Sequence, residues 1–406
     1  MTEKTAYFRG PLSSFSIQLA VQLLQDGWNL HIPSKSALTF SLSPLDLRSS
    51  IQSTLEQALK KKGKSKELLN RVRLLEANEV ARGTKYDVII FCGLPANFDE
   101  QRASRAPWAA DELSEVCRRL KDVPVVIISS IWAAIQDDGV VPEEIEFSRR
   151  KPLSHFEGVC QQYELKILSG LANHEAIWYL LRLPLITGNM SDGSAANFSG
   201  MGNLFSKILE MPKKDRVLRL NYNPDATMWM LPADAAASLT AAVIEAPSRP
   251  RICNLVSTRA SLNQEWLQHL SCAAGFERVE ATEKDHLHLP ATLQAMLKDN
   301  VQVKTRNLFE LMGRHQQSPI AIDRAYLDRV LAFGQAANWG QQKTEHYKTL
   351  FSEDLAKQYF TEFLPQQVDE KTATRLAGFS DGITFEIEGH ATCAFVAKSV
   401  QGKLEI

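Results

Sequence analysis

Ser130, His155, Cys160 and Glu164 carry a hydroxyl, an imidazole, a thiol and a carboxylate on two stretches, VPVVIISS (123–130) and PLSHFEGVCQQYE (152–164). A cysteine beside a base can attack a thioester carbonyl, with His155 or Ser130 assisting. The competing reading of Cys160 is a small core residue, because free cysteine is among the most buried residue types. Ser130, closing an apolar run, suits satisfaction of a strand end by its hydroxyl. His286 and His288 read as surface polar residues, and no metal is expected.

A second constellation opens the chain. Tyr7-Phe8-Arg9-Gly10 runs into SFSIQLAVQLLQDG, where Ile17, Leu19, Ala20, Leu23 and Leu24 recur at helical spacing until Gly27. Trp28 to Ile32 then alternates as a strand, so the opening is a βαβ unit. A dinucleotide site there needs glycines where the backbone turns and where it meets a pyrophosphate at the helix N-terminus. Gly10, Ser13 and Ser16 occupy those positions, and only the first is glycine. Ser13 puts a Cβ and a hydroxyl where the phosphate would approach; Ser16 is small enough for helix packing. Ser34 and Lys35 end the second strand in place of an acid that would hold the ribose. That disfavours NAD, whereas Lys35 or Arg9 would suit a 2′-phosphate. The cofactor expectation is NADP(H) or an empty site.

The elements that must position these residues alternate along the chain. VRLLEA (72–77), YDVIIFCG (86–93) and VPVVIISS are short apolar runs of the kind buried parallel strands show, with AADELSEVCRRL (109–120) helical between the last two. The pattern predicts a helix over 161–180, a strand at LLRLPLI (180–186), an Ala-rich buried helix at 233–246 and a strand at RICNLVS (251–257). Such alternation implies an α/β fold, a Rossmann-like doubly wound parallel sheet with ligands at the strands' carboxyl ends. Beyond about 290 the alternation stops. LFELMG, AYLDRVLAFGQAANW and DLAKQYFTEFL read as helices, and GITFEIEGHATCAFVAKSVQGKLEI reads as a three-stranded meander broken at Gly389 and Gly402. The predicted division is 1–290, with a substrate-side part at about 188–290, and a C-terminal α+β appendage at 291–406.

Composition narrows the function classes. Apolar residues make up 44% and charged residues 23% of the 406, an ordinary globular profile. A net charge of -1 gives no global attraction to nucleic acid or an anionic membrane. The six cysteines (Cys92, Cys117, Cys160, Cys253, Cys272, Cys393) form no close pairs, which points to a reducing compartment. With neither a signal-type apolar core at the start nor a run of the ~18 apolar residues that spans a bilayer, the expectation is a cytoplasmic protein.

The order of these pieces resembles the extended short-chain dehydrogenase/reductase family, most closely its fatty acyl-CoA reductase and thioester reductase branch. The resemblance covers roughly residues 5–275 and rests on LRLPLITGNMSDGSAANFSGMGNLFSKIL, MLPADAAASL and ICNLVS, in that order. It implies a substrate-polarising serine at Ser130 and an acid at Glu164, and it places Asn78 of EANEV where the family has an Asp near the adenine. It also implies a tyrosine and a lysine four residues apart, where this chain has Phe156 and Cys160. Phenylalanine has no ionisable proton, and a thiol near its ordinary pKa of about 8.5 supplies no cation. Hydride transfer by the family's route is expected to fail.

Three functions follow as alternatives. One is a divergent protein of acyl, polyketide or fatty-acid biosynthesis that binds an acyl thioester, on CoA or an acyl-carrier protein, for non-redox chemistry or as a pseudo-oxidoreductase. Another is an NADPH-dependent reductase that protonates its product through Ser130, a water or His155. A third is a structural partner subunit. Lys60, Lys61, Lys62, Lys64 and Lys66 form either a solvated helix face or a docking patch for an acidic carrier protein. The C-terminal meander is similar to sterol-carrier-like lipid-binding folds, and suits a lid or a homodimer contact equally well.

Overall fold

The computed structural model describes residues 3–10, 13–33, 55–60, 63, 66–75, 84–92, 109–148, 150–172, 176–195, 201–211, 216–283, 289, 291–316 and 318–340, and the strands at 383–387, 393–400 and 403–405. Ser34, Lys35, Asn78, Lys61, Lys62, Lys64, His286, His288 and the expected helix DLAKQYFTEFL lie outside the described residues.

Seven strands form one wholly parallel sheet: β1 Thr5–Arg9, β2 Asn29–Pro33, β3 Val72–Leu75, β4 Val88–Cys92, β5 Val125–Ser130, β6 Trp178–Leu183 and β7 Ile252–Asn254. Their order is β7-β6-β5-β4-β1-β2-β3. Every residue of β1, β4 and β5 is buried, as expected for strands covered on both faces. The chain reverses direction across the sheet between β1 and β4. Right-handed crossovers on either side of that point send helices to opposite faces and leave a crevice at the carboxyl ends.

The helices are α1 Ser14–Gln25, α2 Ala109–Arg119, α3 His155–Ala172, α4 Met201–Glu210, α5 Ala233–Glu245, α6 Asn263–Ala273, α7 Ala291–Lys298, α8 Arg306–Arg314 and α9 Arg324–Ala336. α1 packs on the Ala-rich α5, α2 on α3, and the start of α3 against α7. Gly27, at φ +91, ends α1 in a backbone conformation that an L side chain resists.

Two expectations need correction. The helix placed at 161–180 begins earlier, at His155, and ends at Ala172; Trp178 already belongs to β6. The single strand at 180–186 is cut by Pro184, which lacks a ladder N–H. Its second half, Leu185–Thr187, pairs separately with Met230–Pro232.

By packing, the chain forms two compact units, Met1–Gly340 and Gln341–Ile406. Residues 291–340 are stitched into the first unit. Gln302–Val303 pairs with Val140–Val141, Asn307 Nδ2 donates to the Ile252 carbonyl (2.7 Å), and the Tyr326 hydroxyl donates to the Gly188 carbonyl (2.7 Å). In the second unit Ile383–Ile387, Cys393–Val400 and Lys403–Glu405 form the anticipated antiparallel three-stranded meander.

Candidate active centre

At the end of β1 the glycine is obligatory for packing. A Cβ on Gly10 would stand 2.5 Å from the Cys92 Cβ, so only glycine lets β1 and β4 close at their carboxyl ends. Arg9, buried beside it, turns to an ion pair with Glu112 of α2. Burial lowers its pKa, and the ion pair commits its guanidinium to α2.

The helix start that follows is capped by its own serines. Ser13 Oγ accepts from the Ser16 N–H (3.1 Å) and Ser16 Oγ accepts from the Ser13 N–H (2.8 Å), a reciprocal capping box with both side chains buried. In a glycine loop those N–H groups and that space are left for a pyrophosphate. Here the hydroxyls occupy both. Ser13 and Ser16 therefore leave neither of these N–H groups to a phosphate, although the crevice in which such folds bind nucleotides is retained.

At the end of β5, two serines meet one face of α3. Phe156, Cys160 and Glu164 recur every four residues, share that face and are all buried. Ser129 Oγ donates to Glu164 Oε2 (2.7 Å). Glu164 is also clamped by Arg182 of β6, whose Nε lies 3.2 Å from both carboxylate oxygens. Arg182 Nη1 donates to the Pro142 carbonyl (2.8 Å), and the arginine has no exposed surface. Glu164 is thus held in a structural ion pair between α3 and the sheet.

Ser130 and Cys160 do come together. The serine hydroxyl accepts from the Trp132 N–H (3.4 Å) and lies near enough to the thiol to act on its titration. Cys160 has no exposed surface, and burial drives its pKa well above the ordinary thiol value. Glu164 and Glu157 add to that rise, and the neighbouring Ser130 hydroxyl only partly opposes it. A thiol in this setting stays protonated and out of reach, the opposite of an activated nucleophile. His155 is exposed at the first turn of α3, and the Tyr163 hydroxyl turns under β5 to the Ile128 carbonyl (3.4 Å).

Around Phe156 the space is nearly filled. Trp132, Phe156 and Glu157 face Thr292, Met296 and Asp299, the last just beyond α7, and enclose a cavity of about 10 Å³. That is the lower bound for one water molecule; an acyl group has no room there.

Sequence reasoning missed two residues of this centre, Arg182 and Glu157. A lone arginine inside the apolar run LLRLPL was the signal for the first. Glu157 sits in the first turn of α3, where a carboxylate complements the helix dipole. It accepts from the Leu153 N–H (2.9 Å) and pairs with Arg150 (3.3 Å), which also reaches Asp299 (2.6 Å). Burial nevertheless raises its pKa. Among the described residues, no group of three or more His, Cys, Asp or Glu side chains could hold a metal, and no helix is long and apolar enough to cross a membrane.

The fold is a Rossmann-like doubly wound α/β fold that solved structures of other proteins share. The terminal R domain from the myxalamid PKS-NRPS biosynthetic pathway is similar at a TM-score of 0.63 and 13% identity, over 84% of this chain and 92% of that one. A thiolation-reductase di-domain from an archaeal non-ribosomal peptide synthetase is similar at a TM-score of 0.63 and 11% identity, over 84% and 76% of the two chains. UDP-glucuronic acid 4-epimerase from Bacillus cereus, in complex with UDP-glucuronic acid and NAD, follows at a TM-score of 0.55 and 14% identity, over 82% and 99%. No family model and no curated protein matches the chain.

Proposed function

We propose that this chain is a pseudo-oxidoreductase of acyl-thioester biosynthesis: a reductase scaffold that serves an acyl thioester, on CoA or an acyl-carrier protein, without transferring hydride. The observation that carries the reading is the centre at Phe156 and Cys160. A phenyl ring and a buried neutral thiol stand where the resemblance calls for the proton donor and its cationic partner, and α7 lies against the ring. The self-capped start of α1 supports it from the cofactor side. The likeness to R domains of assembly-line synthetases supports the acyl-thioester context. A reductase with another proton donor finds little support, because Ser130 is turned to Cys160 and Trp132 while His155 faces solvent.

Two measurements test the reading together. Incubation of the chain with NADPH and a long-chain acyl thioester is expected to leave the cofactor's absorbance unchanged, and calorimetry with NADPH is expected to register no saturable heat. Steady, thioester-dependent NADPH oxidation sinks the proposal.

A further inference from the structure

Three of the seven large apolar side chains exposed among the described residues, Ile145, Phe147 and Ile177, line one groove together with Leu168, Leu171 and Trp178. A fourth, Leu165, lies one helical turn before Leu168 on α3. The groove measures about 630 Å³, inside the range of roughly 300–1,000 Å³ typical of small-molecule sites. Soluble chains seldom leave so many large apolar groups together in water without a use for them.

Its position separates it from the centre described above. Trp178 opens β6 and Arg251 stands just before β7, so the groove lies at the amino ends of these strands. Ser130 and Gly10 lie at the carboxyl ends, on the opposite edge of the sheet.

One polar feature of the rim indicates what the groove would take. The Arg251 guanidinium stacks on the Trp178 ring, its central carbon 3.7 Å from the ring centroid. It meets no carboxylate among the described residues. Stacking engages the flat face of a guanidinium and leaves its in-plane N–H donors available for a planar anion. An apolar floor ending at a cation that meets no carboxylate among the described residues is the recognition chemistry of an amphipathic carboxylate.

We propose that this groove binds an aliphatic carboxylate. Its chain lies on Ile145, Phe147 and Ile177, and its carboxylate accepts hydrogen bonds from Arg251. The site is independent of the reading given for the Phe156 centre, since it requires neither cofactor nor proton relay.

The test is calorimetric titration of the full chain with laurate below its micelle concentration, with dodecyltrimethylammonium as the oppositely charged control. Saturable laurate binding is expected, and Arg251→Gln should weaken it about tenfold or more, the scale of a charge-assisted hydrogen bond. Ile177→Glu should abolish it; both side chains are exposed, so circular dichroism should show both variants folded. No binding by the wild type, equal binding of the cationic control, or laurate affinity unchanged in both variants would overturn the proposal. So would self-association that Ile177→Glu removes without any laurate binding, which assigns the groove to a second copy. Arg251-dependent sedimentation with phosphatidylglycerol vesicles, with no binding of monomeric laurate, would overturn it in favour of a lipid surface.

Discussion

Arg182 and Glu164 form an ion pair buried between β6 and α3, with Ser129 and the Pro142 carbonyl completing its hydrogen bonds. The pair couples the sheet to the helix that, in the family this chain resembles, would carry the proton relay. Its behaviour on mutation distinguishes a structural acid from a catalytic one. Glu164→Ala leaves a guanidinium without compensation in the core and is expected to destabilise the fold by about 3–5 kcal/mol in urea unfolding. Replacing both partners with apolar residues of similar volume should recover most of that loss. If Glu164→Ala unfolds at wild-type urea concentration, the structural assignment is wrong.

Restoring the missing pair should not restore a reductase. Phe156→Tyr with Cys160→Lys places an ammonium group where the native thiol has no exposed surface. The expected result is a fold weakened by several kcal/mol, about the penalty for an unpaired buried charge after relaxation, with no NADPH oxidation. Thermal melts and a cofactor absorbance assay on the double variant check both halves.

Thiol accessibility is a direct check on the closed centre. Cys92, Cys117, Cys160 and Cys253 are buried, and Cys272 is exposed. Burial pushes the Cys117 thiol up to about 12 and raises Cys92 and Cys253 as well. Brief alkylation of the native protein followed by peptide mass mapping should therefore find Cys272 labelled and these four protected until denaturant is added. Rapid labelling of Cys160 would reopen the case for a reactive thiol.

His31 predicts an acid-side loss of stability. Its Nδ1 lies 2.8 Å from the Tyr86 hydroxyl, and burial, aided by the charge of Arg73, lowers its pKa in the folded state. As the pH drops through about 6.5, the ordinary histidine value, the unfolded chain takes up this proton before the folded one does. The neutral-His contribution is fully present above that pH and shrinks progressively below it, down to the folded pKa. Unfolding free energies measured from pH 8 to about 5 should fall more steeply for wild type than for His31→Gln. Parallel curves would refute this.

The capping box can be tested at the helix it starts. Ser13→Ala removes the acceptor for the Ser16 N–H and should cost about 1 kcal/mol, while Ser13→Gly should cost only a few tenths. Equal losses from the two, measured by chemical denaturation, would show that the hydroxyl is not acting as a cap.

Sequence alone determined the scaffold. Unbroken apolar runs such as VIIFC and VVIISS suit only strands covered on both faces, and the helical stripe of SFSIQLAVQLLQ ends at a glycine that the chain then uses at positive φ. That Phe156 carries no ionisable proton and Cys160 no cation was legible too, because side-chain type fixes both in any conformation. What each remaining polar residue does was not legible. Ser130, Cys160 and His155 read as a catalytic set along the chain, with Glu164 as a degenerate position beside them, and only packing disclosed that Arg182 claims the acid and that burial keeps the thiol protonated. The pairing of Gln302–Val303 back onto Val140–Val141 was likewise visible only in three dimensions. Residue type and spacing are local properties that a sequence states outright. Desolvation and the choice of ion-pair partner depend on which distant segments meet, and only the folded chain decides that.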